Sequence, residues 1–250
     1  TQLHQKAIGA WIEKLDAYMA NRDALPPHTL ENLAKIGAAL ERWMQENLLD
    51  AFAFQCWPAL QKMFGIFPCT LMSYLSQQLI PGACETDAVG ALSMLALQFA
   101  SGGPAGIFDW NNNCPDPNQL VLFHCSNSPV GLLENPKVTY NAMAVKGEGL
   151  EHSYATIYGA LAKGPITFCR IHPNDEAGKI ESIMGQGKIV SNPPDSFGAI
   201  GVLEVPDLQD LLRYICYHGY EHHVSITQGN QADVLHEAFE KYLKWGVHLH

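Results

Sequence analysis

The stretch GACETDAVGALSMLALQFASGGPAGIFD, residues 82–109, decides the fold. Its first three residues, before Glu85, are small and apolar, the length and texture of a short buried strand. Asp87 to Ala100 then carries apolar side chains at helical spacing behind an acidic first turn, so a helix is predicted. Gly102-Gly103-Pro104 breaks that helix, and Ala105 to Phe108 reads as a second buried strand delivering Asp109 at its carboxyl end.

Upstream, residues 28–48 show the apolar spacing of an amphipathic helix, and Ala51 to Cys56 reads as a strand ending at Trp57-Pro58. A further helix is expected at Leu71 to Gln78. This strand–helix alternation implies a parallel sheet, in which ligands gather at the carboxyl ends of strands. Gln55, Glu85 and Asp109 fall at three such ends.

Beyond about residue 120 the texture changes to short β-rich runs separated by Gly, Pro and Asn/Asp. They are Leu120 to Cys125, Tyr154 to Tyr158, Pro165 to Ile171, Lys179 to Ile183, Ile200 to Val205 and Val224 to Thr227. Their spacing suggests antiparallel strands in a sandwich or barrel, with Ala232 to Trp245 as a closing helix. A domain boundary is expected between 115 and 145.

The chain has 250 residues, of which 47% are hydrophobic and 16% charged, enough apolar surface to bury a core. Its formal net charge of −10 and scattered basic residues argue against a nucleic-acid partner, which needs a concentrated Lys/Arg surface. Residues 1–4, TQLH, show neither a basic nor an apolar leader pattern, and no apolar run has the roughly 18 residues of a membrane span. A soluble cytoplasmic protein is expected. Seven cysteines without a C-x-x-C pair read as reduced thiols, and eleven histidines prompt a search for a metal site.

Glu85, Asp109, His124 and the His222-His223 pair form the central constellation. Hard divalent cations prefer carboxylate oxygens, and Mn²⁺ also takes imidazole. A carboxylate emerging from an apolar stretch is desolvated unless a positive charge meets it. The bland alternative, a helix-capping carboxylate, fits Asp87 better than Glu85. On a strand, His222 and His223 point to opposite faces, so at most one of them faces a given site. Asp109-Trp110-Asn111-Asn112-Asn113 suits polyol recognition or is an Asn-rich turn, and Gln55-Cys56-Trp57-Pro58 shares that ambiguity. Gly147-Glu148-Gly149 and Gly185-Gln186-Gly187 match no phosphate-binding fingerprint and read as turns.

Five motifs together, FQCWPAL (54–60), ACETDAVGALSML (83–95), DWNNN (109–113), FHCSN (123–127) and EHHV (221–224), resemble the L-fucose isomerase and L-arabinose isomerase family. They occur in family order from about Leu30 to Trp245. The resemblance implies an α/β fold: a Rossmann-like parallel sheet domain over 1–130, then an antiparallel β-barrel-like domain over 131–250 with the closing helix. It implies an aldose–ketose isomerase acting on a monosaccharide through an enediol, with a hydride shift as the alternative route, and with Mn²⁺ as cofactor or Mg²⁺ or Co²⁺ in its place. Glu85 and Asp109 are then both metal ligands and the catalytic acid/base pair, and His223 is a further ligand. His124 resembles the additional ligand of the arabinose branch, which fucose-type sites do without. Gln55, Trp57 and Asn111 would lie near substrate. Family members carry a preceding Rossmann-like domain and form homotrimers or homohexamers, so this chain is expected to be the carboxyl-terminal part of a longer protein. The competing expectation is a non-catalytic sugar-binding or assembly module with the same fold.

Overall fold

A computed structural model describes residues 2–19, 25–193 and 197–250. In chain order the elements are α1 (Gln2–Tyr18), α2 (Pro27–Asn47), β1 (Phe52–Phe54), α3 (Ala59–Phe64), α4 (Cys69–Gln77), β2 (Gly82–Cys84), α5 (Ala88–Ser101), β3 (Ala105–Asn113) and β4 (Gln119–His124). Then come β5 (Leu133–Tyr140), α6 (Val145–Glu148), β6 (Tyr154–Leu161), β7 (Gly164–Asn174), β8 (Lys179–Ser191), β9 (Ala199–Glu204), α7 (Leu208–Tyr217), β10 (His223–Gln228), α8 (Ala232–His236) and β11 (Gly246–Leu249).

The mixed α/β architecture holds a small parallel sheet of β1 and β2 beside a nine-stranded mixed sheet in the order β11-β8-β7-β10-β3-β4-β9-β6-β5. An extra pairing of β8 with β9 links β8, β7, β10, β3, β4 and β9 into a cycle. No helix among the described residues is long and apolar enough to cross a membrane.

Several expectations change. The third strand of the predicted parallel sheet, β3, pairs antiparallel with β10 and β4 instead, so the parallel sheet has two strands. β3 is also longer than its apolar run, because Trp110 to Asn113 continue along β4 across a bulge between Trp110 and Asn112. Asp109 therefore lies within a strand rather than at its end, and Asn111 to Asn113 are no turn. The β-rich part is mixed rather than antiparallel, since β6 runs parallel to β9 and β11 to β8. Gly185-Gln186-Gly187 lies inside β8, where a Cβ at Gly185 or Gly187 would collide with Phe168 or Leu203. α8 runs on through a π-helical turn to Leu243, and β11 follows it, so the helix does not close the chain.

Local chemistry explains the element that organises the site. The Asp87 side chain caps α5 by accepting a hydrogen bond from the Gly90 N–H at 2.7 Å. Gly102, in the left-handed conformation, ends the helix by donating its N–H to the Gln98 carbonyl. Ala91, Met94 and Leu97 then bury one face of α5 against Ala105 and Ile107 of β3 and Cys169 and Ile171 of β7. Val224, Ile226, Phe108, Leu122 and Phe168 belong to the other, larger core. Strand alternation thus sorts the residues: His223, Ser225 and Thr227 lie opposite Asp109, Ile107 and Ala105 in register, on the face that meets α5. Ser225 confirms the orientation by donating its hydroxyl to the Gly90 carbonyl.

Candidate metal centre

Three elements converge at the amino end of α5. Glu85 and Thr86 connect β2 to α5 with φ of 59° and 58°, left-handed values that L side chains seldom adopt. Such geometry persists where surrounding structure enforces it and concentrates at functional sites. Here Asp87 N–H donates to the Cys84 carbonyl and Ala88 N–H to that of Thr86, fixing the turn.

His223 opens β10 directly opposite Asp109 of β3, a cross-strand neighbour pair. Its Nδ1–H donates to Asp87 Oδ2 at 2.9 Å. Its Nε2 is buried without a hydrogen-bond partner, 3.5 Å from Asp109 Oδ1 and 3.7 Å from Glu85 Oε2. Asp87 in turn accepts from Arg170 Nη1 at 2.5 Å, and Arg170 Nε donates to Glu221 Oε2 at 3.1 Å. Glu221 also meets His172 Nδ1 at 3.2 Å.

These contacts set the charges. Burial opposes ionisation of Asp87, but hydrogen bonds from His223 and Arg170 and the guanidinium charge hold its carboxyl well below the usual range. Asp87 is thus an ionised acceptor, and His223 must carry its proton on Nδ1. Burial also opposes charge on His223, yet the Asp87 hydrogen bond and the carboxylates of Asp109, Asp87 and Glu85 raise its pKa. Asp109 is raised as well, chiefly by desolvation, with His223 and His222 pulling the other way and Glu85 adding to the rise.

The donor set suits a hard divalent cation. A ligating imidazole is ordinarily oriented by a carboxylate on its other nitrogen, and His223 has that partner in Asp87. Two carboxylates face His223 Nε2, an arrangement that could hold a divalent cation. Glu85, His222 and His223 bring ligand atoms within 4.8 Å of one another.

The expected residues take distinct places. Glu85 and Asp109 each approach His223 Nε2, at 3.7 and 3.5 Å, but among the described residues the group around His223 whose ligand atoms all lie within 4.8 Å of one another is Glu85, His222 and His223, without Asp109. His222, expected to face away, also approaches Asp109 Oδ1 at 3.5 Å, because it sits in the bend before β10 and escapes strand alternation. His124 is buried on β4, its ring 5.9 Å from that of His223, with neither nitrogen hydrogen-bonded. Trp57 shares a cavity of about 310 Å³ with Glu85, Cys125 and Asn141. Asn111 lines another of about 510 Å³ with Trp110, Gln209, Arg213 and His222. Gln55 is exposed, its amide donating to the Trp57 carbonyl at 3.4 Å.

Sequence reasoning left out the supporting shell. Asp87 is the helix cap it was expected to be, but it also orients His223. Arg170 escaped notice although it carried a signal: a cation in the apolar run ITFCRI needs a buried anionic partner.

Residues 122–250 match the model of the family described as L-fucose isomerase, C-terminal domain. The chain is also similar to proteins named sulfoquinovose isomerase. That of Priestia aryabhattai is 25% identical over 210 residues, covering 84% of this chain and 46% of that protein. That of Alkalicoccus urumqiensis is 26% identical over 216 residues, covering 85% of this chain and 46% of that protein. The chain thus spans about half the length of these curated relatives.

Proposed function

Since the chain belongs to the family described as L-fucose isomerase, C-terminal domain, we propose that it carries the metal and acid–base groups of an aldose–ketose isomerase. The observation supporting this most is the free, buried Nε2 of His223 between the carboxylates of Asp109 and Glu85. Glu85, Asp109 and His223 would hold Mn²⁺. When bound, the cation supplies Lewis-acid stabilisation of negative charge developing on the sugar oxygens.

The remaining work falls to the chain's own side chains. Asp109, a quarter exposed and with its pKa raised by desolvation, is the group suited to take the proton alpha to the carbonyl. Glu85, half exposed, carries the proton of the C2 hydroxyl to the C1 oxygen, and Asp109 delivers the proton it took from C2 to C1 as the enediol collapses to the ketose. Two carboxylates in unlike surroundings can hold different protonation states, which this pairing requires. Asp87 keeps the His223 ring fixed throughout, and Arg170 keeps Asp87 ionised. Trp57 offers an aromatic face for the sugar ring, and Asn111 and Gln55 offer hydrogen bonds.

The relatives' names make sulfoquinovose the first sugar to test, followed by L-fucose and pentoses. Their greater length supports an active site completed by further polypeptide, and a homotrimer or homohexamer is part of the same proposal.

The test is Mn²⁺-dependent ketose formation across that sugar panel. The double variant Glu85→Gln with Asp109→Asn is expected to lose at least roughly 100-fold, the scale of a positioned acid or base. Full activity in that variant would sink the proposal.

A further inference from the structure

Beside the site just described, Cys84, Glu85 and His124 also bring a sulfur, a carboxylate oxygen and an imidazole nitrogen within 4.8 Å of one another. We propose that these three residues form a second cation site, thiophilic in character, that takes Zn²⁺ or a similar soft divalent ion and shares Glu85 with the hard site.

His124 carries the argument. Alternation along β4 turns Leu120, Leu122 and His124 inward, so the imidazole is buried at 1% exposure. Neither ring nitrogen has a hydrogen-bond partner, a rare state for a buried polar group and one that asks for a reason.

Cys84 supplies what separates this triad from the first. It ends β2, fully buried. Cys56 and Cys125 line the cavity of about 310 Å³ together with Glu85, the one member of the triad that reaches it. Thiolate, imidazole and carboxylate make a zinc set, whereas Mn²⁺ and Mg²⁺ prefer oxygen donors. Tetrahedral zinc with bonds of about 2.0 to 2.3 Å holds its ligand atoms roughly 3.5 Å apart, so the three groups need to close by about 1 Å. On binding, Cys84 releases its thiol proton to water as the metal–sulfur bond forms.

Glu85 belongs to both triads, and a soft cation held by Cys84 and His124 draws its carboxylate away from Asp109 and His223. Zn²⁺ therefore weakens Mn²⁺ binding, and by linkage Mn²⁺ weakens Zn²⁺ binding equally.

X-ray absorption on the Zn²⁺-loaded full chain tests this, with the more exposed thiols Cys114 and Cys216 changed to Ser. A sulfur scatterer at about 2.3 Å is expected beside nitrogen and oxygen. Cys84→Ala is expected to remove it, and His124→Gln to weaken Zn²⁺ binding at least roughly tenfold. A shell of nitrogen and oxygen alone, or sulfur surviving Cys84→Ala, overturns the proposal. The wild-type spectrum decides even where Cys84→Ala does not fold. Asp109→Asn keeps the two sites apart: it is expected to weaken Mn²⁺ binding and leave the sulfur in place.

Discussion

His223 Nδ1 donates to Asp87 Oδ2 at 2.9 Å, and that bond points the other ring nitrogen between Glu85 and Asp109. Asp87 lies on the loop that caps α5 and His223 opens β10, so helix, strand and site share one contact.

Removing the charge of Asp87 should separate positioning from capping. Asn caps helices as well as Asp, so Asp87→Asn keeps the start of α5. It leaves Arg170 with Glu221 as its one charged partner, and stability should fall by about 3 kcal/mol, the low end for a broken buried pair. Mn²⁺ affinity should fall roughly 10- to 100-fold through lost orientation of His223. Urea unfolding and titration calorimetry read the two effects; unchanged metal affinity would refute the positioning role.

Gly90 presents a steric version of the same test. Alanine in a helix interior ordinarily gains about 1 kcal/mol over glycine. A Cβ at Gly90, however, would press on the Asp87 carboxylate and on Ile107 Cδ1. Gly90→Ala should therefore lower stability by about 1 kcal/mol net and weaken Mn²⁺ binding as Asp87 shifts. A stabilised variant with normal metal affinity would show that α5 has room to spare.

Metal binding should release a proton. The pKa of His223 is raised, so below it the ring carries a proton on Nε2 that a cation must displace. Affinity for Mn²⁺ accordingly rises with pH until that pKa is passed and then levels off. Calorimetry near pH 6 (about half a unit below an ordinary histidine pKa) in buffers of different ionisation heat measures the release. Equal heats in all buffers would contradict it.

Buried His124 should shape acid stability in metal-free protein. Its folded pKa is depressed to about 3 from 6.5, so the unfolded chain binds more protons below about pH 6.5. Stability is full above that value and declines as pH falls toward 3, with about 2 kcal/mol lost by pH 5. His124→Gln should remove this part of the slope. Parallel wild-type and variant curves from pH 7 to 5, measured with chelator present, would show that His124 is not held neutral.

What the sequence made legible was local. Asp87 and Gly102 mark the ends of α5, and apolar runs mark β2, β4 and β10, because caps and periodicity are written in neighbouring residues. The approach of Glu85 and Asp109 to His223 was anticipated through the resemblance to a family, which implied these three as ligands. The partner of β3 was not, since Ala105 to Phe108 is equally apolar in a parallel or an antiparallel sheet, and only long-range pairing with β10 chooses. That pairing sets His223 against Asp109. Arg170 and Asp87 stand 83 residues apart in the chain, and their ion pair forms through the packing of β7 against α5. No local pattern could announce it.

Anomalous diffraction from crystals of the full chain soaked in Mn²⁺ tests the central claim most directly. One strong peak is predicted with Glu85, Asp109 and His223 oxygen and nitrogen atoms at roughly 2.0 to 2.6 Å, and with the Asp87–His223 bond intact. No peak there, with these side chains well ordered, would contradict the account.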